Sequence, residues 1–117
     1  ELRAKILIPA QAKAVRLSLN DHFNRIDDKH AAEHAVFTLE AAKIGLPADG
    51  RAHDLTLTWS RAAQAGEVLV SVDGKTPVRV AARRRAEFGV NYLRVEFRAD
   101  ADTGHVTIGQ LSAQVPR

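Results

Sequence analysis

Two histidines and a glutamate in the first third of the chain have the spacing of a zinc-protease motif. His30, Glu33 and His34 spell H-x-x-E-H, in which both histidines bind zinc from one helical face and the glutamate is the general base. Such a site needs a third ligand, and no downstream helix offers one. A chain of 117 residues is also small for such an enzyme. We therefore predict that the motif is metal-free, and a small zinc metalloenzyme is our third hypothesis.

Acidic and amide side chains in two polar turns form a second candidate metal site. The oxygen ligands that Ca²⁺ prefers would come from Asp21, Asn24, Asp27, Asp28, Asp100 and Asp102. Solvated turn acids are the simpler interpretation, so no cofactor is predicted and Ca²⁺ is kept as the alternative. Residues 20–29 are nevertheless the loop in which a ligand is first expected, because connecting loops carry function more often than strands. From this loop we predict ligand-binding roles for Asp21, His22 and Asn24.

A row of alternating residues later in the chain is the best candidate for direct recognition. Apolar Leu93, Val95 and Phe97 alternate there with polar Tyr92, Arg94, Glu96 and Arg98. One aromatic ring among charges can hydrogen-bond sugar hydroxyls or pair with an acidic sugar. The same row is typical of an ordinary solvated sheet face, and both interpretations stay open. We predict ligand-binding roles for Tyr92, Arg94 and Arg98 and no catalytic residue, since the sequence does not show which carboxylates face each other.

The elements that must position these residues have the period-two pattern of half-buried strands. Leu55, Leu57 and Trp59 alternate with polar residues, and Val68, Val70 and Val72 alternate again before the turn pair Asp73-Gly74. Two strands with one apolar face need a second sheet to cover that face. Trp59 shares the parity of the leucines, so it is predicted to be buried between the sheets and not to stack on a sugar.

Residues 28–45 support two local interpretations. As a helix, the segment would be capped by Asp27 or Asp28 and would end at Gly45. As a strand, it would place one set of residues inward, namely Ala35, Phe37, Leu39 and Ala41, and another outward, namely Val36, Thr38 and Glu40. The β context on both sides favours the strand, with at most a helical turn at residues 30–33.

The remaining pattern completes an all-β, antiparallel β-sandwich of the jelly-roll type with about eight strands. Further strands are predicted at residues 4–8, 15–19, 78–80 and 91–98. The last strand has a phase break at Gly109, which predicts a β-bulge.

Composition bounds the class of protein. The chain is 45% hydrophobic, carries a net charge of +3 and has no cysteine, so one modest domain at residues 1–117 without disulfides is expected. Its first residue is Glu1 and it contains no methionine, so we expect a fragment of a larger protein. No apolar run approaches about 18 residues, so no membrane partner is predicted. Residues 83–85 are three arginines, but only Phe88 and Tyr92 follow as stacking aromatics, so no nucleic-acid partner is predicted.

Several blocks of the sequence together resemble a known family. They are LSLNDHFN at residues 17–24, HDLTLTW at 53–59, VLVSVDGK at 68–75 and GVNYLRVEFRADADTGHVTIGQLSAQV at 89–115. These blocks resemble the concanavalin A-like or laminin G-like jelly-roll domains attached to bacterial sialidase-like and other glycan-processing proteins.

The resemblance implies a non-catalytic, carbohydrate-binding accessory domain of a secreted, extracytoplasmic protein. Its partner would be a carbohydrate or a neighbouring catalytic domain. A structural or assembly module that packs against another domain or subunit is the alternative. Fold-level analogy says little about activity by itself, so these are expectations for the site to support.

Overall fold

The computed structural model describes residues 1–10, 12–21, 34–59, 66–84, 92–99 and 107–113. Within these ranges the chain forms eight strands and one short helix. They are β1 (Leu2–Leu7), β2 (Ala12–Asn20), β3 (Phe37–Glu40), α1 (Ala41–Ile44), β4 (Ala52–Thr58), β5 (Glu67–Val72), β6 (Val78–Ala81), β7 (Tyr92–Ala99) and β8 (Thr107–Ala113).

The strands form two sheets, and every observed strand pair is antiparallel. The larger sheet has the order β6-β5-β4-β1-β8 and the smaller has the order β3-β2-β7. The chain passes between the sheets after β1, β3, β6 and β7. The predicted all-β sandwich of about eight strands is confirmed, as is the pairing of the strands around residues 55 and 70.

One apolar core lies between the sheets. The inward residues of β2 (Val15, Leu17 and Leu19), of β4 (Leu55 and Leu57) and of β5 (Val68, Val70 and Val72) are all buried in it. Alternate side chains of a strand point to opposite faces, so this register fixes which residues face outward. Trp59, predicted to be fully buried, is only partly buried. It packs against the core from just beyond the end of β4, where the sheets no longer enclose it completely.

Of the segment 28–45, residues 28–33 with the possible helical turn lie outside the described ranges, and residues 34–45 match each interpretation in part. Strand β3 is followed at once by α1, which ends at Gly45 in the left-handed conformation, as the helical interpretation predicted. The predicted strand was therefore too long at Ala41. Val36 was expected to face outward but is buried, because it precedes β3 and its N–H donates to Leu19 O at 2.9 Å.

Strand β8 contains the predicted bulge. Its register with β1 shifts between Arg3 and Lys5, which pair with Ser112 and Gly109. One extra residue lies just after Gly109, where Gln110 and Leu111 together oppose Ala4, and Gln110 has a left-handed backbone with φ of 48°. A bulge of this kind reverses the inward parity, as the phase break in the sequence indicated.

The sandwich has two ends that carry different polar groups. At the Asp21 end, β2 and β6 finish and β3 and β7 begin. At the His53 end, β1 and β5 finish, β2 and β4 begin, and α1 follows β3. No helix in the described ranges is long and apolar enough to cross a membrane.

Candidate functional site

The outer face of the three-stranded sheet gathers most of the polar residues of β2 and β7. The register places Tyr92 opposite Asn20, Arg94 opposite Ser18, and Glu96 opposite Arg16. The predicted recognition row therefore lies on one face, as its alternation required. Tyr92 is 44% exposed, whereas Ser18 and Asn20 of the middle strand are buried. The row is thus open at its aromatic end and partly enclosed along its middle strand.

Glu96 ties the charges of this face together. Its Oε2 accepts from Arg16 Nη2 at 2.6 Å, and its Oε1 accepts from Arg94 Nε at 3.0 Å. Two guanidinium groups therefore share one carboxylate across two strands. Arg16, Arg94 and Glu96 therefore form a half-buried network with one net positive charge.

Among the described side chains of the same sheet, three polar atoms are buried without a hydrogen-bond partner. They are Arg16 Nε, Ser18 Oγ and Thr38 Oγ1. A buried donor or acceptor left unpaired costs about 1–3 kcal/mol, and such groups are uncommon in folded proteins. Arg16 thus carries both an ion pair to Glu96 and an unused donor.

A cleft of about 440 Å³ opens beside Arg16 at the His53 end of this sheet. Its lining consists of Ile8, Ala12, Ala14, Val15, Arg16, Glu40, Ala41, Ala42, Ala48 and Glu96. Five of these residues are alanines, whose short side chains leave the space unfilled. The polar groups at the cleft are one guanidinium and two carboxylates, of which Glu40 also pairs with Lys43 at 3.3 Å. The cleft has the size range of small-molecule sites, which is several hundred Å³.

Asp21, predicted to bind a ligand, is held inside the protein. Its side chain is 0% exposed and forms a two-pronged ion pair with the Arg84 guanidinium, in which Nη1 donates to Oδ2 at 2.9 Å and Nη2 to Oδ1. The same guanidinium donates from Nε and Nη2 to the carbonyl oxygen of His34, at 2.9 and 2.7 Å. Arg84 therefore joins the connection after β6 to the three-stranded sheet.

Several other predicted residues fall outside the described ranges. His22 and Asn24 do, as do His30 and Glu33 of the zinc motif and the calcium candidates Asp27, Asp28, Asp100 and Asp102. Arg98 lies in β7 and pairs with Ala14 in the backbone register. His34 is exposed. Among the residues that the structure does describe, no three His, Asp or Glu side chains are grouped to hold a metal ion.

A second polar cluster lies at the His53 end. His53 Nδ1 is 2.6 Å from Asp73 Oδ2, and its Nε2 is 2.9 Å from both carboxylate oxygens of Asp49. Hydrogen bonds to Asp73 and then to Asp49 raise the pKa of His53 above its usual 6.5. The hydrogen bonds from His53 lower the pKa of both carboxyl groups, helped by the backbone N–H of Arg51 at Asp49 and of Asp54 at Asp73.

The sequence contained weak signals for the residues that it did not single out. Arg16 follows the outward parity of β2, opposite the row on β7, but strand pairing between distant segments cannot be read from alternation. His53 directly precedes the alternating run of β4, and Asp73 belongs to the turn pair. The sequence did not show that these two side chains would be in contact. Arg84 had been counted as part of a basic run, although it is the internal partner of Asp21.

No model of a known protein family matches the chain, and no curated protein sequence matches it.

Proposed function

We propose that this domain is a non-catalytic accessory module of a secreted, sialidase-like, glycan-active protein. In this proposal it binds carbohydrate on the outer face of the three-stranded sheet, between Tyr92 and the alanine-lined cleft. A neighbouring catalytic domain would be its partner within the longer protein. The observation that carries the proposal is the cleft of about 440 Å³, which Arg16 and Glu96 line on the strand face that also carries Tyr92.

The geometry suits a short oligosaccharide. Tyr92 and Glu96 are four residues apart on one strand, which spans about 13 Å at the usual rise per residue. A ring stacked on Tyr92 would therefore leave the cleft to a ring further along the same oligosaccharide, not to its immediate neighbour. There, hydroxyl groups can accept from Arg16 and donate to Glu40 or Glu96, since carboxylates are acceptors.

Binding by this face should be weak and only mildly selective for charge. One exposed aromatic and a few hydrogen bonds should give a millimolar dissociation constant, about −4 kcal/mol. Among the described side chains of this face, Arg94 and Arg16 share Glu96, and Glu40 pairs with Lys43, so one net positive charge remains to favour an acidic sugar. That preference should decrease as added salt screens it.

The test is an NMR titration of the chain with sialyllactose, oligogalacturonate and lactose. We expect shifts at Tyr92, Arg94, Arg16 and Ala48. Arg16→Lys keeps the charge but removes the planar guanidinium beside the cleft, so it should weaken binding, whereas Arg79→Lys on the other sheet should not. Shifts confined to residues 20–29 would move the site to that loop. An absence of shifts with every sugar would contradict the proposal.

The alternative, an assembly module, is favoured by one edge strand. In the described ranges, β8 contains no charged residue, whereas the other three edge strands contain Arg79 (β6), Glu40 (β3), and Arg94, Glu96 and Arg98 (β7). Charges are a usual protection of a sheet edge against pairing. Ile108 and Leu111 of β8 are also 40% and 57% exposed.

The occupant that fits this edge is β8 of a second copy. Two chains of net charge +3 repel each other, so contact is least opposed at an edge without charge. Antiparallel pairing of two β8 strands brings no charged residues of β8 together, and it closes as a two-fold dimer. The bulge interrupts the edge, so the dimer should be weak. Sedimentation analysis should show it dissociating in Leu111→Lys but not in Leu69→Lys, a control on the outer face of β5. A monomer at every concentration would exclude this alternative.

A further inference from the structure

The histidine cluster at the His53 end satisfies its hydrogen bonds in only one protonation state. Both ring nitrogens of His53 face a carboxylate, Asp73 on one side and Asp49 on the other. A neutral imidazole has one N–H, whereas the imidazolium has two. Only protonated His53 can therefore donate to both carboxylates. The neutral ring must turn a lone pair toward one of them.

The carboxylate of Asp49 belongs to the same loop as one wall of the cleft. Residues 46–51 connect α1 to β4, and Ala48 of this loop lines the cleft. The loop is anchored at its start by buried Leu46 and near its end by Gly50, whose N–H donates to Ile8 O at 2.8 Å. Between these anchors, the hydrogen bond between His53 and Asp49 depends on the protonation state of His53.

We propose that the protonation state of His53 sets the position of the cleft wall at Ala48. Protonated His53 holds Asp49 and keeps the wall in the observed place, and loss of the proton releases the wall. The consequence for a bound sugar rests on the function proposed above. The movement of the wall does not rest on that function, because it follows from the position of His53 between Asp49 and Asp73 alone.

Asp49, and not Asp73, is the carboxylate that neutral His53 releases. The contact to Asp73 is the shorter of the two, at 2.6 against 2.9 Å. Asp73 is also fixed by its place in the turn between β5 and β6, where its Oδ1 accepts from the N–H of Asp54 at 2.9 Å. The other bond of Asp49, from the N–H of Arg51 to Oδ1 at 3.0 Å, stays within its own exposed loop, so without His53 its carboxylate is held to no other element by these bonds.

The other charged groups around His53, Asp49 and Asp73 come from four elements. Lys5 of β1 pairs with Asp54 of β4 at 2.8 Å, Arg51 follows Asp49 in the loop, and Lys75 follows the turn. Each of these cations lies near a carboxylate, and Arg51 and Lys75 help to lower the pKa of Asp49 and Asp73. In the described part of the chain, the histidine is thus the group of this cluster that changes charge near neutral pH.

The first experiment follows the wall without any ligand. An NMR titration between about pH 5 and pH 9 should show the His53 ring titrating above its usual 6.5, with the amides of Ala48 and Gly50 shifting at the same midpoint. Asp49→Asn should lower the midpoint and His53→Gln should abolish the amide shifts. His34→Gln, which changes an exposed histidine at the other end, should leave them unchanged. Amides of Ala48 and Gly50 that do not follow His53 would overturn the proposal.

The second experiment joins the wall to binding. Sialyllactose and lactose are titrated at about pH 5.5 and about pH 8.5, with a several-fold weaker affinity expected at the higher pH for both sugars. His53→Gln should remove that difference. Equal affinity at both pH values, with moving amides, would show that the wall does not control the cleft. No binding at either pH would refute the proposed function alone, since the first titration decides whether the wall moves.

Discussion

The two ends of the sandwich are each joined by a cation between acceptors, but the cations differ in chemistry and in burial. At the Asp21 end, the Arg84 guanidinium binds a carboxylate with no exposed surface and the carbonyl of His34. At the His53 end, an imidazole lies between Asp49 and Asp73, and each of these carboxylates is more than one-third exposed. A guanidinium stays charged at any physiological pH, whereas an imidazole does not.

The difference separates a permanent connection from an adjustable one. Removing one member of a buried ion pair leaves the other charge poorly compensated, so breaking the pair at the Asp21 end costs several kcal/mol of stability, about 3–5 in general. The His53 end can lose one proton while its carboxylates remain in contact with water. The cleft lies at this adjustable end, with Ala48 in its wall. The cleft part of the proposed site therefore lies at the end whose connection changes with the protonation of His53.

The largest expected effect tests the permanent connection. Arg84→Ala should destabilise the domain by about 3 kcal/mol, near the lower limit for breaking a buried pair because the Arg84 side chain is 30% exposed. The measurement is denaturant unfolding followed by circular dichroism. The matched control is Arg79→Ala, whose pair with Glu67 is exposed, and it should cost about 0–1 kcal/mol. Equal costs for the two variants would mean that the Asp21 end is not held by charge.

A smaller effect compares the backbone at the two ends. Gly66 and Gly74 both have positive φ, 61° and 71°. A Cβ at Gly66 would lie 2.9 Å from Ala82 Cβ, whereas a Cβ at Gly74 meets nothing within 4 Å. Gly74→Ala should therefore cost only the conformational penalty, about 1 kcal/mol, and Gly66→Ala about 2 kcal/mol or more because the clash is added.

Thermal and denaturant unfolding of both glycine variants give these two costs directly. Their difference isolates the close approach of the β5 start to the segment after β6, which is the segment that carries Arg84. If Gly74→Ala were the more damaging change, the tighter packing would lie at the His53 end and our comparison of the ends would be reversed.

The fold was largely predictable because alternation is a local property. The alternation around Leu17, Leu55 and Val70 indicates a buried strand face whichever strands become neighbours. The change of parity around Gly109 likewise indicates the bulge. The boundary between β3 and α1 was harder, since alanine suits both interpretations of residues 35–44. The burial of Val36 accompanies its hydrogen bond to Leu19 of β2, a contact that the local sequence does not contain.

The site was predictable only in part, because it depends on which strands become neighbours. The outward parity of Tyr92, Arg94 and Glu96 was correct, but their partner Arg16 lies 80 positions from Glu96 along the chain. The same is true of Asp21, whose partner Arg84 lies 63 positions away. Charge patterns within a segment therefore identified which residues face outward and not which of them would be neutralised.

The smallest effect tests the adjustable end through the pH dependence of stability. The pKa of His53 is raised in the folded state, so its stabilising contribution is complete below the usual 6.5 and is lost as pH rises through the folded value. The lowered pKa of Asp49 and Asp73 adds an acid limit, since their contribution is lost as pH falls below the usual 3.8 toward the folded value. The gap in unfolding free energy between the parent and His53→Gln should therefore be larger at about pH 5.5 than at about pH 8.5. The cost of Arg84→Ala should be the same at both, because the guanidinium stays charged. A His53→Gln cost that is constant, or that grows with pH, would show that folding does not raise the pKa of His53, and the two ends would then not differ in the way we infer.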